Sequence, residues 1–73
     1  MSRLVPLPAR EICRKLLSLG FDKVRQKGSH VFWRHEDGRC VVVPVHKGED
    51  IGRGLLRSIL NSIEVSWEKF QKL

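Results

Sequence analysis

Apolar residues fall into three patterned stretches along the chain, and the period differs between them. Ile12, Leu16 and Leu19 stand at i, i+4 and i+7, with Cys13 and Leu17 beside them, so the first stretch predicts an amphipathic helix. Pro8-Ala9-Arg10-Glu11 would open it with proline in the first turn, where a missing N–H costs nothing. Arg10, Arg14 and Lys15 lie mostly outside the apolar stripe. Gly20 is placed to end the helix in a left-handed conformation, and Phe21 to fold back onto Leu16.

The period then changes to two. Residues 22–27 read as a first strand with Lys23, Arg25 and Lys27 on one face and Val24 on the other, followed by a Lys27-Gly28-Ser29 turn. Residues 29–35 and the valine-rich residues 39–46 read as second and third strands. The loop between them decides their register. A two-residue Asp37-Gly38 turn needs positive φ at both positions and pairs Glu36 with Arg39. A three-residue Glu36-Asp37-Gly38 loop needs only a left-handed Gly38 and pairs His35 with Arg39. The second choice gathers Val31, Trp33, Val41, Val43 and Val45 on one face and His30, Phe32, Arg34, Cys40, Val42, Pro44 and His46 on the other. A half-buried sheet favours that segregation.

After a polar connection at residues 47–50, Gly52-Arg53-Gly54 leads into Leu55, Leu56, Ile59, Leu60 and Ile63, a second amphipathic helix. Ser66 is a good N-cap for a short helix over residues 67–73, with Trp67 and Phe70 on one side. The order is helix, three antiparallel strands, helix, small helix. It predicts a single α+β domain over residues 1–73, its sheet covered by helices on one face.

Composition narrows what such a domain does. At 73 residues there is no room for a large cofactor cradle or a two-domain cleft, and 41% hydrophobic content argues against disorder. No apolar run approaches the roughly 20 residues of a membrane span. Two prolines interrupt the start of the chain, so no leader segment is expected, and the two cysteines, read as half-buried apolar residues, fit a reducing cytoplasm. The net charge is +6, and +5 of it lies in residues 1–36. A basic half on a tiny domain points to a polyanion, most often nucleic acid; the alternative is a charged surface serving solubility alone.

Histidine is the side chain whose ordinary pKa, about 6.5, suits proton transfer near neutrality. His30 follows Gly28 and Ser29 beside the row Lys23, Arg25, Lys27, with Arg34 nearby. Such a row could hold phosphates while an imidazole moves a proton. RNA carries its own nucleophile, the 2′-OH, so cleaving it needs no metal, and DNA is excluded as substrate. A solvated strand histidine is the plainer alternative. His46 shares the outward face by register and is a secondary candidate, whereas His35 reads as a hairpin-end residue. No carboxylate or thiolate completes a metal site with His30 and His46, and a Cys40–His30 nucleophile pair lacks support beyond Arg34 and Arg39. Gly52-Arg53-Gly54 suits either a backbone phosphate contact or a flexible start to the helix. Phe32 is the one aromatic on the histidine face, a candidate platform for a base.

Five segments together resemble the HicA toxin family: Leu19-Gly20-Phe21, Gln26-Lys27-Gly28-Ser29-His30, His35-x-Asp37-Gly38-Arg39, Val43-Pro44-Val45-His46 and Gly54-Leu55-Leu56-Arg57-Ser58-Ile59-Leu60. The likeness runs from about Pro8 to Phe70, and the ordered set is more specific than any one segment. It implies an α-β-β-β-α fold similar to the double-stranded-RNA-binding domain. It also implies an mRNA interferase that needs no cofactor, whose essential histidine is His30, and a HicB-type antitoxin that masks it. Leu55 stands where the family often has threonine, so a hydroxyl role there is absent. The rival expectations are a non-catalytic RNA-binding module with the same basic face, and an interaction domain that docks an acidic partner.

Overall fold

A computed structural model describes residues 3–73; Met1 and Ser2, where the segment read as lacking a leader begins, lie outside them. The order is β1 (Leu7–Pro8), α1 (Ala9–Ser18), β2 (Phe21–Lys27), β3 (His30–His35), β4 (Cys40–Pro44), β5 (Asp50–Ile51), α2 (Arg53–Ile63) and α3 (Trp67–Phe70). Strands β2-β3-β4 form an antiparallel sheet in that order. The helices cover one of its faces, the α-β-β-β-α arrangement of a double-stranded-RNA-binding domain. The molecule measures 34 × 30 × 17 Å, and the short dimension fits one sheet under one layer of helices.

The hairpin takes the three-residue loop. The His35 N–H donates to the Arg39 carbonyl at 2.8 Å, the Gly38 N–H donates to the His35 carbonyl, and Gly38 has φ +102°. Val31 therefore faces Val43 and Trp33 faces Val41, all four buried with Ile12, Leu16, Leu56, Ile59 and Ile63 in the core. Val45, just past the strand, packs against that core only in part. Gly20, at φ +94°, caps α1 through its N–H to the Leu17 carbonyl, and Phe21 is buried behind it.

Five expectations need correction. Pro8 is the N-cap of α1, so the helix starts one residue later. The third strand ends at Pro44, two residues before His46, and α3 ends at Phe70. Residues 7–8 and 50–51 pair as a small second sheet, because the chain brings Ile51 into the core and closes the ladder as it does so. Leu55 lies outside the buried stripe of α2 and is 41% exposed.

The largest departure is Lys15, which helical periodicity alone placed at the edge of the apolar stripe and which is buried. Its Nζ donates to the carbonyls of Phe70 (3.1 Å), Gln71 (3.4 Å) and Leu73 (2.9 Å). An ammonium has three donors, and the end of a helix leaves carbonyls without intrahelical partners. The lysine thus fastens α3 to α1 from below. Arg39 does a similar job at the end of α2, donating to the Ile63 carbonyl while its guanidinium lies over Phe21 and pairs with Asp37.

Replacing Lys15 with methionine keeps the apolar stem and removes the three hydrogen bonds that tie the final turn to α1. Urea unfolding of Lys15→Met should show a loss of about 1–3 kcal/mol; unchanged stability would remove Lys15 from the role of a cap. At the hairpin tip, hydrogen bonds from Arg39 hold the Asp37 carboxyl below its ordinary value. A lowered carboxylate pKa contributes stability that is complete above that ordinary value and fades as pH falls through the folded one. An NMR titration of Asp37 should move upward, towards 3.8, in Arg39→Met; an identical midpoint would contradict the pairing.

Candidate functional site

The face of the sheet turned away from the helices is open, and β3 supplies its central row. His30, Phe32 and Arg34 alternate with buried Val31 and Trp33, so the same alternation that builds the core projects these three outward. His30 and Arg34 are exposed and Phe32 is half-buried. On β4 their direct neighbours are Pro44, Val42 and Cys40. Cys40 is exposed rather than half-buried, its thiol pointing to the Gly38 carbonyl at 3.5 Å.

On the other side, β2 carries an irregularity. Lys23 pairs with Trp33, but the next paired residue is Arg25, opposite Phe32, so Val24 is bulged out between them. One extra residue reverses the facing of everything before it. Arg25 and Lys27 share the outer face with Phe32 and His30, whereas Lys23 falls on the face that α1 covers. The predicted row of three cations is therefore two, and Lys23 is the one removed. Its position has an electrostatic signature. Burial pushes the thiol of Cys13, on α1, above its ordinary pKa, and the Lys23 ammonium pulls it back.

The turn that delivers His30 is held on both sides. Gly28, at φ +59°, occupies the first central position of a two-residue turn closed by the Lys27–His30 pair, where glycine is favoured. The Gln26 side-chain amide donates to the Gly28 carbonyl at 3.0 Å, and the Ser29 carbonyl accepts the Val45 N–H at 2.6 Å. His30 is thus an exposed imidazole on a fixed backbone, and among the described residues no side chain hydrogen-bonds it. Lys27 is its cross-strand neighbour, and Arg25 lies over Phe32 with 4.7 Å between guanidinium and ring centroid. Asp22, opposite Arg34, is the single carboxylate on this part of the sheet.

His46 does not join them. Because β4 ends at Pro44, parity no longer governs it, and it lines a hollow with Pro8, Ala9 and Arg10 at the start of α1. His35 is structural: it packs edge-on against Phe21 at 5.1 Å and its Nδ1 accepts the Asp37 N–H. A Cβ on Gly20 would sit 3.1 Å from its Nε2. No group of three or more histidine, cysteine or acidic side chains converges on a metal-sized site among the described residues, and no helix there is long and apolar enough to cross a membrane. Gly52-Arg53-Gly54 opens α2 in a separate hollow shared with Arg3 and Arg57.

Two residues of the open face, Val24 and Leu55, were not expected there, whereas Val42 was. Val24, Val42 and Leu55 surround Phe32 and leave an apolar groove there. Spacing alone did not separate Leu55 from Leu56, because Ile59 and Leu60, another neighbouring pair on the same helix, are buried together. For Val24 there was no local signal.

The bulge can be checked without reference to function. In a Cys40→Ser background, Lys23→Gln should move the Cys13 pKa further up, and the pH profile of its alkylation by iodoacetamide should shift with it. An unshifted profile would place Lys23 on the outer face after all.

Residues 9–65 match the family model described as the HicA toxin of bacterial toxin-antitoxin. No curated protein matches the chain.

Proposed function

The chain belongs to the HicA toxin family of bacterial toxin–antitoxin systems, and from that premise we propose that it is a metal-independent endoribonuclease that cleaves mRNA in the cytoplasm. The observation that carries the reading is His30 itself, an exposed imidazole on a pinned turn with a lysine directly across the strand. Lys27, Arg25 and Arg34 supply positive charge on the same face, and the N–H groups and hydroxyl of Gly28 and Ser29 lie at its edge. Phosphate contacts of this kind position a nucleic acid without reading its sequence.

The chemistry follows from the ligand held. With a phosphodiester on these cations, the neutral His30 imidazole takes the proton of the neighbouring 2′-OH. The 2′-oxygen then bonds to phosphorus, the bond to the 5′-oxygen breaks, that oxygen takes a proton from solvent water, and His30 returns its own proton to the solvent. The products are a 2′,3′-cyclic phosphate and a 5′-hydroxyl. DNA binds the same cations but has no nucleophile. Lys23 and His46 take no part in this scheme. A HicB-type antitoxin would silence the toxin by covering the His30 face, which is open and cationic.

A second reading is favoured by one feature: among the described residues no side chain hydrogen-bonds the imidazole, whereas a general base is commonly held by a partner. In that reading the domain binds RNA and does not cut it.

His30→Ala separates the two. Induced expression of the unaltered chain should arrest growth, and the purified protein should cleave RNA in EDTA. His30→Ala should lower the cleavage rate by about 10²–10⁴-fold, and a 2′-deoxy substitution at the cleaved nucleotide should abolish cutting. Equal cleavage by both proteins would sink the role of His30. RNA retained at low salt but left intact by the unaltered protein would establish the binding module instead.

A further inference from the structure

The cleavage chemistry leaves part of the open face unused. Beside His30 along the sheet lies a groove of about 520 Å³, within the roughly 300–1,000 Å³ typical of small-ligand sites. Phe32 and Val42 stand directly opposite each other on β3 and β4 as its floor. Val24 on the β2 bulge and Leu55 on α2 rise at its sides, 58% and 41% exposed, among the most exposed large apolar side chains of the described residues. The rim is cationic: the Arg25 guanidinium lies over the Phe32 ring, and Arg34 follows on the same strand.

An apolar slot with a rim of arginines matches a ligand that is flat and aromatic at one end and anionic at the other. Nucleobases stack on phenylalanine rings and on guanidinium planes, and both surfaces are present here, already in contact. Position supplies the second argument. Phe32 is two residues from His30 on the same face of one strand, about 7 Å along it. A nucleotide with its phosphate at His30 can therefore lay the adjoining base over Phe32. A paired base cannot enter, because its faces are taken by its neighbours and its edge by its partner.

We propose that this groove holds one unpaired nucleobase flanking the phosphate at His30, and so restricts the enzyme to single-stranded RNA. The inference rests on the nuclease reading for its register, and on the groove for its specificity. The contacts are with the base's faces, so the selection is for an unstacked nucleotide more than for one base type.

The test is a binding measurement on His30→Ala protein, which removes turnover. Short single-stranded RNAs with 2-aminopurine at successive positions around the cleaved bond should show one position whose fluorescence is quenched on binding. The same RNA annealed to its complement should bind at least 10-fold more weakly. Adding Phe32→Leu should remove the quenching and weaken binding by about 5- to 100-fold. Leu55→Gln, at an exposed position and without added charge, should weaken it in the same direction should Phe32→Leu fail to fold. Equal affinity for duplex and single strand would overturn the proposal. So would unaltered quenching in both variants, or a loss confined to antitoxin binding, which would make the groove a protein-docking surface. Cleavage by the unaltered enzyme without any stacking signal would refute the groove and spare the nuclease. Stacking without cleavage would do the reverse.

Discussion

The pairing of β3 with β4 depends on one left-handed residue, Gly38, at φ +102°. With a single positive φ available, the loop takes three residues and His35 closes it against Arg39. Strand side chains have a period of two, so that one choice assigns every residue of both strands to a face. Val31, Trp33, Val41 and Val43 go under the helices, and His30, Phe32 and Arg34 come out. A slip by one would bury His30 and Arg34 and expose the valines, so the core and the outer face are specified by the same event. The hydrophobic effect that closes the core is in this sense what presents the imidazole.

The positive charge of the chain is not one undivided surface. Lys15 and Arg39 are consumed by the fold, each donating to backbone carbonyls at or just past the end of a helix. Lys23 sits over the helix-covered face, where it lowers the proton affinity of Cys13. Arg25, Lys27 and Arg34 remain on the open sheet. Two of the three are one hydrogen-bonded step from His30 or Phe32, which turns a general basicity into a local one. The net charge of +6 is a property of the whole chain, and the fold decides which of the charges reach the open face.

The open face differs from the covered one in rigidity as well as chemistry. His30 is delivered by a turn whose backbone carbonyls are engaged from both sides, by Gln26 and by Val45, while its own side chain is unrestrained among the described residues. A fixed backbone under an exposed imidazole suits a ligand that completes the arrangement on arrival. The apolar groove beside it is likewise formed before any ligand is present, with Arg25 already resting on Phe32.

Local patterning was enough for α1, α2, the three strands of the main sheet, the hairpin register and the outward facing of His30, because each follows from a period of 3.6 or 2 and from turn chemistry within a few residues. Tertiary structure decided what those periods do not encode. The bulge at Val24 is a property of how β2 lies against β3, and without it Lys23 would belong to the wrong face. Lys15 is buried because the end of α3, more than fifty residues later, brings carbonyls to its ammonium. His46 left the site because the strand stopped two residues short, and Leu55 joined the open face because Leu56 took the core. For Lys15 the deciding contact joins segments far apart in the chain, where sequence spacing carries no distance, and for Val24 it lies in the pairing of two strands, which the period of neither strand encodes.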